Sequence, residues 1–186
     1  MSRGLAKRWI TADEYERMGE AGIFPPDARL ELIEGEIFEM SPLGNTHAAC
    51  VKFLNALLGH LFGGTFIVGV QDPIRLNEFS APQPDLTLLR WREDYYRGLT
   101  PTPGDVLLLI EVADATLAVD RLVKFPLYAK AGIREAWLVN IPDGRLEIYS
   151  DPLGGIYRRA EVFGRGAEAR SHTVEGLAVK VAELLG

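Results

Sequence analysis

Apolar residues recur along this chain with two spacings, and the switches between them mark its elements. "GNTHAACVKFLNALLGHLFGG" carries Val51, Leu54, Leu57, Leu58 and Leu61 at helical spacing and stops at Gly63-Gly64, which predicts a long helix. "RLELIEGEIFEM" instead alternates apolar and acidic residues about Glu34-Gly35, the pattern of a β-hairpin with Leu30, Leu32, Ile37 and Met40 turned to a core. Before it, "TADEYERMGEAG" predicts a short helix, with Thr11 as N-cap and Glu14 completing a capping box.

Short strands are expected at "TFIVGV", "PIRL" and "DLTLLR", and a surface loop or short helix at "WREDYYRGLTPTPGD". "VLLLIEV" is nearly continuous in apolar residues, as in a strand covered on both faces. "AVDRLVKFPLYAKAG" predicts a helix that ends at Gly132 and kinks at Pro126, where a backbone donor is missing. Strands follow at "REAWLVNI", "RLEIYS" and "GIYRRAEV", joined by turns at "PDG" and "DPLGG", and "TVEGLAVKVAELLG" closes with a strand end and a short helix. The strand–helix–strand run over 107–141 calls for a right-handed crossover between parallel strands. Hairpins on either side make the sheet mixed, so the expected fold is one α/β domain over residues 1–186.

Composition narrows the classes. With 47% hydrophobic and 25% charged residues the chain reads as an ordinary globular protein, and its apolar runs fall short of a membrane span. The opening residues carry basic side chains but no apolar stretch of a secretory leader, and the single Cys50 cannot form an internal disulfide; a cytoplasmic protein is expected. A net charge of −6 is awkward for nucleic-acid binding, because phosphate affinity comes from Lys and Arg. Arg makes up 15 of the 20 basic residues, the type suited to bidentate phosphate contacts, although such a bias also follows from a GC-rich genome or a hot habitat.

Candidate chemistry gathers at two strands. Asp85 begins "DLTLLR" and Glu111 sits near the end of "VLLLIEV"; if the strands are neighbours, two carboxylates converge at one edge of the sheet. Two such charges repel unless one takes a proton or a cation joins them, and a hard divalent ion accepts oxygen ligands. Lys124 would supply positive charge where negative charge develops. The same residues have plainer readings. Asp85 could bond a turn amide, Glu111 could pair with a buried Arg, and Asp120 and Lys124 have the spacing of a surface ion pair worth ~0.2–0.5 kcal/mol.

"QPDLTLLR" followed by "LLLIEVADATLAVDRLVKFPLYAKAGIREAWLVNI" closely resembles the Uma2 family (formerly DUF820) of endonucleases in the PD-(D/E)XK superfamily, and "LELIEGEIFEMSPLGNTH" and "VQDPIRL" fit the same family. The resemblance implies a restriction-endonuclease-like core, a mixed sheet flanked by helices. It also implies Mg²⁺- or Mn²⁺-dependent cleavage of DNA by a homodimer, with Asp85 and Glu111 on the metal. The superfamily pattern asks for a lysine two residues after Glu111, where this chain has Ala113; Lys124 then resembles a lysine migrated to the following helix.

An additional acid is expected from "LELIEG", either Glu31 or Glu34. Alternation places Glu31 opposite Leu30 and Leu32, which would equally leave it in solvent. Gln71, His47 and Asp120 are candidates to support the acids, while an ordinary strand-end amide and a helix-start polar residue are the alternatives for the first two. Arg90, Arg92 and Arg97 interleave with Trp91, Tyr95 and Tyr96, a surface able to grip phosphates and stack bases, or a solvated loop with its aromatics anchored in the core. The rival to a nuclease is a noncatalytic nucleic-acid-binding or interaction domain that keeps the fold; a nuclease acting on RNA is a third reading.

Overall fold

The computed structural model describes residues 6–40 and 44–186. The first five residues of the stretch read for a leader, and Ser41, Pro42 and Leu43 of the family-like motif, lie outside the described residues.

The chain opens with α1 (Ala12–Glu20), whose capping box is formed: the Glu14 amide donates to Thr11 Oγ1 at 3.2 Å and the Thr11 amide to Glu14 Oε2 at 3.1 Å. The hairpin follows as β1 (Leu30–Ile33) and β2 (Glu36–Glu39). Glu34 and Gly35 turn the chain with φ of 48° and 79°, the left-handed pair that a tight two-residue hairpin requires. Leu32 packs with Ala12 and Ala81, and Ile37 covers this small core in part.

After α2 (Asn45–Phe62) the main sheet begins: β3 (Phe66–Val70), β4 (Leu86–Arg90), β5 (Val106–Ala113), β6 (Glu135–Asn140), β7 (Arg145–Leu153) and β8 (Ile156–Gly164). They lie in that order, and β5–β6 is the one parallel pair. The connection between these two strands runs through α3 (Leu117–Val119), a π turn (Asp120–Lys124) and α4 (Phe125–Ala131). A second two-stranded ladder, β9 (Glu168–Arg170) with β10 (Ala178–Lys180), leads into α5 (Val181–Leu185).

Alternation along β5 divides the molecule. Leu108, Ile110 and Val112 join the core that contains Leu54 and Leu58 of α2 and Leu184 of α5. Leu109 and Ala113 join the opposite core with Phe125 and Tyr128 of α4. Both faces are covered, which accounts for the continuous apolar run. Glu111 falls on the α4 face by the same alternation.

Several boundaries differ from expectation. "PIRL" forms no ladder strand, because its amides go to separate partners: Ile74 to Pro82, Arg75 to Pro101 and Leu76 to Ser80. The β7–β8 hairpin runs through "DPLGG" to a tight turn at Gly154-Gly155, and β9 was not anticipated. Just ahead of Pro126, where a kink is expected, the helix widens into a π turn in which the Phe125 amide donates to Asp120 O, five residues back. Proline lacks a donor and crowds the carbonyl four residues earlier, and the widened turn absorbs both.

Candidate active site

The antiparallel pairing of β4 with β5 sets Leu86 opposite Ile110, so Asp85 and Glu111 meet at one end of the sheet. The Asp85 amide points at Glu111 Oε2 across 3.4 Å. Asp85 is 5% exposed and its carboxylate is held on three sides. The Val112 amide donates to Oδ2 at 2.9 Å, His47 Nε2 lies 3.0 Å from the same oxygen, and Gln71 Nε2 donates to Oδ1 at 3.2 Å. Gln71 is locked for this by a left-handed φ of 56° and by its own amide, which donates to Asp85 O. Burial pushes the Asp85 carboxyl up, but these donors, led by His47, outweigh it and hold the group below its ordinary range.

Glu111 has a different environment. Tyr128 Oη donates to its Oε1 at 2.5 Å and Lys124 Nζ lies 2.7 Å from the same atom. Lys124 also donates to Glu31 Oε1 at 3.0 Å and stands 3.9 Å from Asp120 Oδ1. One ammonium thus sits among three carboxylates, each of these residues 4% exposed or less. Burial raises the Glu111 carboxyl; Lys124 pulls it back, while Asp120, Asp85 and Glu31 add repulsion, and it is pushed up to about 8. Burial likewise raises Asp120, whose Oδ2 accepts from Thr116 Oγ1 at 2.6 Å. Burial would lower Lys124, but Glu111, Glu31 and Asp120 more than reverse it, so the amine stays charged.

These groups floor a cleft of about 360 Å³ whose walls include Ile33, Phe38, Val119 and Val123. Glu31 faces it because the side of β1 opposite Leu32 is roofed by the π turn rather than left to water. Glu34 lies exposed in the hairpin turn, so the two candidates for the extra acid are separated by geometry. Tyr128 and Thr116 were not anticipated, although the chain carries their signal. Thr116, Asp120, Lys124 and Tyr128 recur every fourth residue and so share one side of the crossover helix.

Arg90, Arg92 and Arg97 are not brought to the cleft. Arg90 ends β4, about 17 Å of strand rise from Asp85, and Arg92 and Arg97 follow it. Arg92 is paired with Asp94, and Arg90 Nε donates to Gly104 O.

The fit of a metal ion follows from the donors. Asp85 and Glu111 offer carboxylate oxygens at one end of the sheet, in a site with more carboxylates than cations, and oxygen donors of this kind are what a hard divalent ion takes while keeping several waters. Among the described residues no group of three or more His, Cys, Asp or Glu side chains is arranged to hold an ion, and Lys124 stands between Glu31 and Glu111. Two carboxylates completed by water fit such an ion.

No curated protein matches the chain. Among solved structures, a crystal structure of "a putative nuclease belonging to DUF820" from Anabaena variabilis ATCC 29413 is 18% identical, with a TM-score of 0.68 over 95% of this chain and 97% of that one; the likeness shows a shared fold. The model of the Uma2 family, described as "Putative restriction endonuclease", matches residues 12–182. That match runs from α1 into α5 and takes in every side chain of the cluster, and the chain belongs to the Uma2 family.

Proposed function

We propose that this protein is a divalent-metal-dependent endonuclease that hydrolyses DNA phosphodiester bonds at the Asp85–Glu111 edge of the sheet. The observation that carries the reading is the meeting of Asp85, Glu111 and Lys124, all buried, on the floor of an open cleft, with Glu111 bonded to the Asp85 amide on one side and to Lys124 on the other. Asp85 and Glu111 are the residues that would hold Mg²⁺ or Mn²⁺. Such an ion, when bound, polarises a phosphoryl oxygen and lowers the pKa of water.

The protein's own groups divide the remaining work. His47, Gln71 and the Val112 amide keep Asp85 ionised and fixed in orientation. Tyr128 and Lys124 orient Glu111 through Oε1 and leave Oε2 on the Asp85 side. Lys124, still charged at neutral pH, offsets negative charge developing on the phosphate. Glu31 and Asp120 hold the ammonium in place.

Supercoiled plasmid and single-stranded DNA incubated with Mg²⁺ or Mn²⁺ test this. The native protein is expected to nick or linearise DNA, and Asp85→Ala to cut at least about a hundredfold more slowly, because it removes a residue that would hold the ion stabilising the developing charge. Unchanged cleavage by Asp85→Ala would overturn the reading. The centring of Lys124 among the acids favours a second reading, a domain that keeps the fold without cutting. Thermal unfolding separates the two, since an ion that binds only the folded state raises the melting temperature and a closed ion-pair cluster gives no shift.

A further inference from the structure

The sheet ends on one side in a strand whose ends pack against α4 and α5 but whose outer edge meets no other strand among the described residues. β8 is nine residues long and pairs only with β7 among the described residues, leaving its outer edge unpaired. Residues 158–162 are all exposed on both faces of the strand. The opposite edge strand, β3, is shorter and half-buried beneath α2, so the exposure belongs to β8. An unpaired edge of this length is a template for another strand, and folded proteins usually block it with a bulge, a proline or unmatched charge.

The charges on β8 are matched about its own centre. Arg159 and Glu161 flank Ala160 in "YRRAEVF". In an antiparallel pairing of two copies with Ala160 opposite Ala160, Arg159 of each copy lies opposite Glu161 of the other. Arg158 then lies opposite Val162, and the small Ala160 pair sits on the dyad. Arg159 and Glu161 share the face of the sheet that carries α2 and α5, because Glu161 stands opposite Ile148, a residue of that core. Opposite charges facing one another across paired strands are favourable and like charges are not. Glu161 also receives His172 from its own chain, which leaves it half exposed. Arg159 makes no ion pair of its own among the described residues, whereas Arg158 is bound to Asp151 at 2.7 Å.

We propose that β8 is a self-association edge: two copies of this chain pair antiparallel through β8, centred on Ala160, and join their six-stranded sheets into one. The dyad of such a pairing runs perpendicular to the sheet, so both clefts open on the same face, a geometry suited to two cuts in one duplex. The proposal stands apart from the nuclease reading, because the mass of the particle tests it and cleavage does not.

Sedimentation equilibrium of the full chain at micromolar concentration should return twice the 20.6 kDa chain mass. Arg159→Glu sets Glu opposite Glu twice per dimer and is expected to raise the dissociation constant at least about tenfold, moving the population to monomer. Glu161→Arg should do the same. The swap Arg159→Glu with Glu161→Arg restores both cross-strand pairs and should restore the dimer, which a folding defect would not allow. A monomeric native protein would overturn the proposal, as would a dimer unaffected by Arg159→Glu or a swap that stays monomeric.

Discussion

At the scale of single residues, the cluster is governed by one cation. Lys124 is 4% exposed and makes its two close ion-pair contacts with Glu31 and Glu111. Lys124→Met keeps the side-chain volume and leaves three buried carboxylates facing each other. The expected cost is about 3–5 kcal/mol, the range for breaking a buried pair from one side, seen as a lower urea midpoint. A change below ~1 kcal/mol would mean that the acids escape to water. Tyr128→Phe removes the donor to Glu111 Oε1 with little change of shape, and should destabilise by roughly 1–3 kcal/mol while slowing any metal-dependent cleavage. The spacing of Thr116, Asp120, Lys124 and Tyr128 was legible in the chain as one side of a helix. That this side meets a carboxylate on β5, rather than water, was not, because periodicity tells which residues share a face and not what covers it.

At the scale of elements, two devices place the cluster. The β1–β2 hairpin carries Glu31 and turns on Gly35, whose φ of 79° and tight approach to Trp9 leave no room for a side chain. A Cβ there would stand 2.7 Å from Trp9 Cβ. Gly35→Ala should therefore cost about 1–3 kcal/mol and loosen Glu31 from Lys124, measurable as a fall in melting temperature and faster amide exchange in β1. An unaltered melt would show that Trp9 moves aside freely. The π turn is the second device. It sets Asp120 and Lys124 over the ends of β1 and β5 and is held from the other side by Arg121, which donates to the buried Glu147 of β7 at 2.5 Å. The hairpin, the long helix and the parallel crossover were readable from alternation and helical spacing. The π turn was not, since proline announces a break without saying which widened or bent form it takes.

At the scale of the whole molecule, the buried acids tie stability to pH. Glu111 titrates near 8 in the folded chain, against an ordinary value of 4.5, because burial and its acidic neighbours disfavour the charge. Between those two pH values the folded state keeps a proton that the unfolded state has lost, so stability falls as pH rises through this window, by up to about 1.4 kcal/mol per unit. Asp120 is raised too and acts in the same direction. Asp85 is lowered, so its contribution is present above its ordinary 3.8 and fades only in strong acid. Lys124 is raised, so its contribution is whole below the ordinary 10.5. With chelator present, the urea midpoint should be higher at pH 6 than at pH 8.5, and Glu111→Gln should flatten the difference. A midpoint that climbs over that range in the native protein would contradict the repulsion assigned to Glu111. A divalent ion should relieve the same repulsion and stabilise the protein more at pH 8.5 than at pH 6, as expected when an ion and a proton compete for one carboxylate.

The sequence by itself determined the alternations and spacings, and hence most strands and helices, the burial of β5 on both faces, and the presence of Asp85 and Glu111 at the ends of two strands. These are local properties, carried by residues within a few positions of one another. Only the tertiary structure decided that Glu31 is buried while Glu34 is not, that His47 and Gln71 close on Asp85, and that the arginines after β4 lie at the far end of the strand from the acids. Each of those outcomes depends on which element packs over a given face. That contact is made across tens of residues by the sum of many weak apolar interactions, so no short stretch of the chain encodes it.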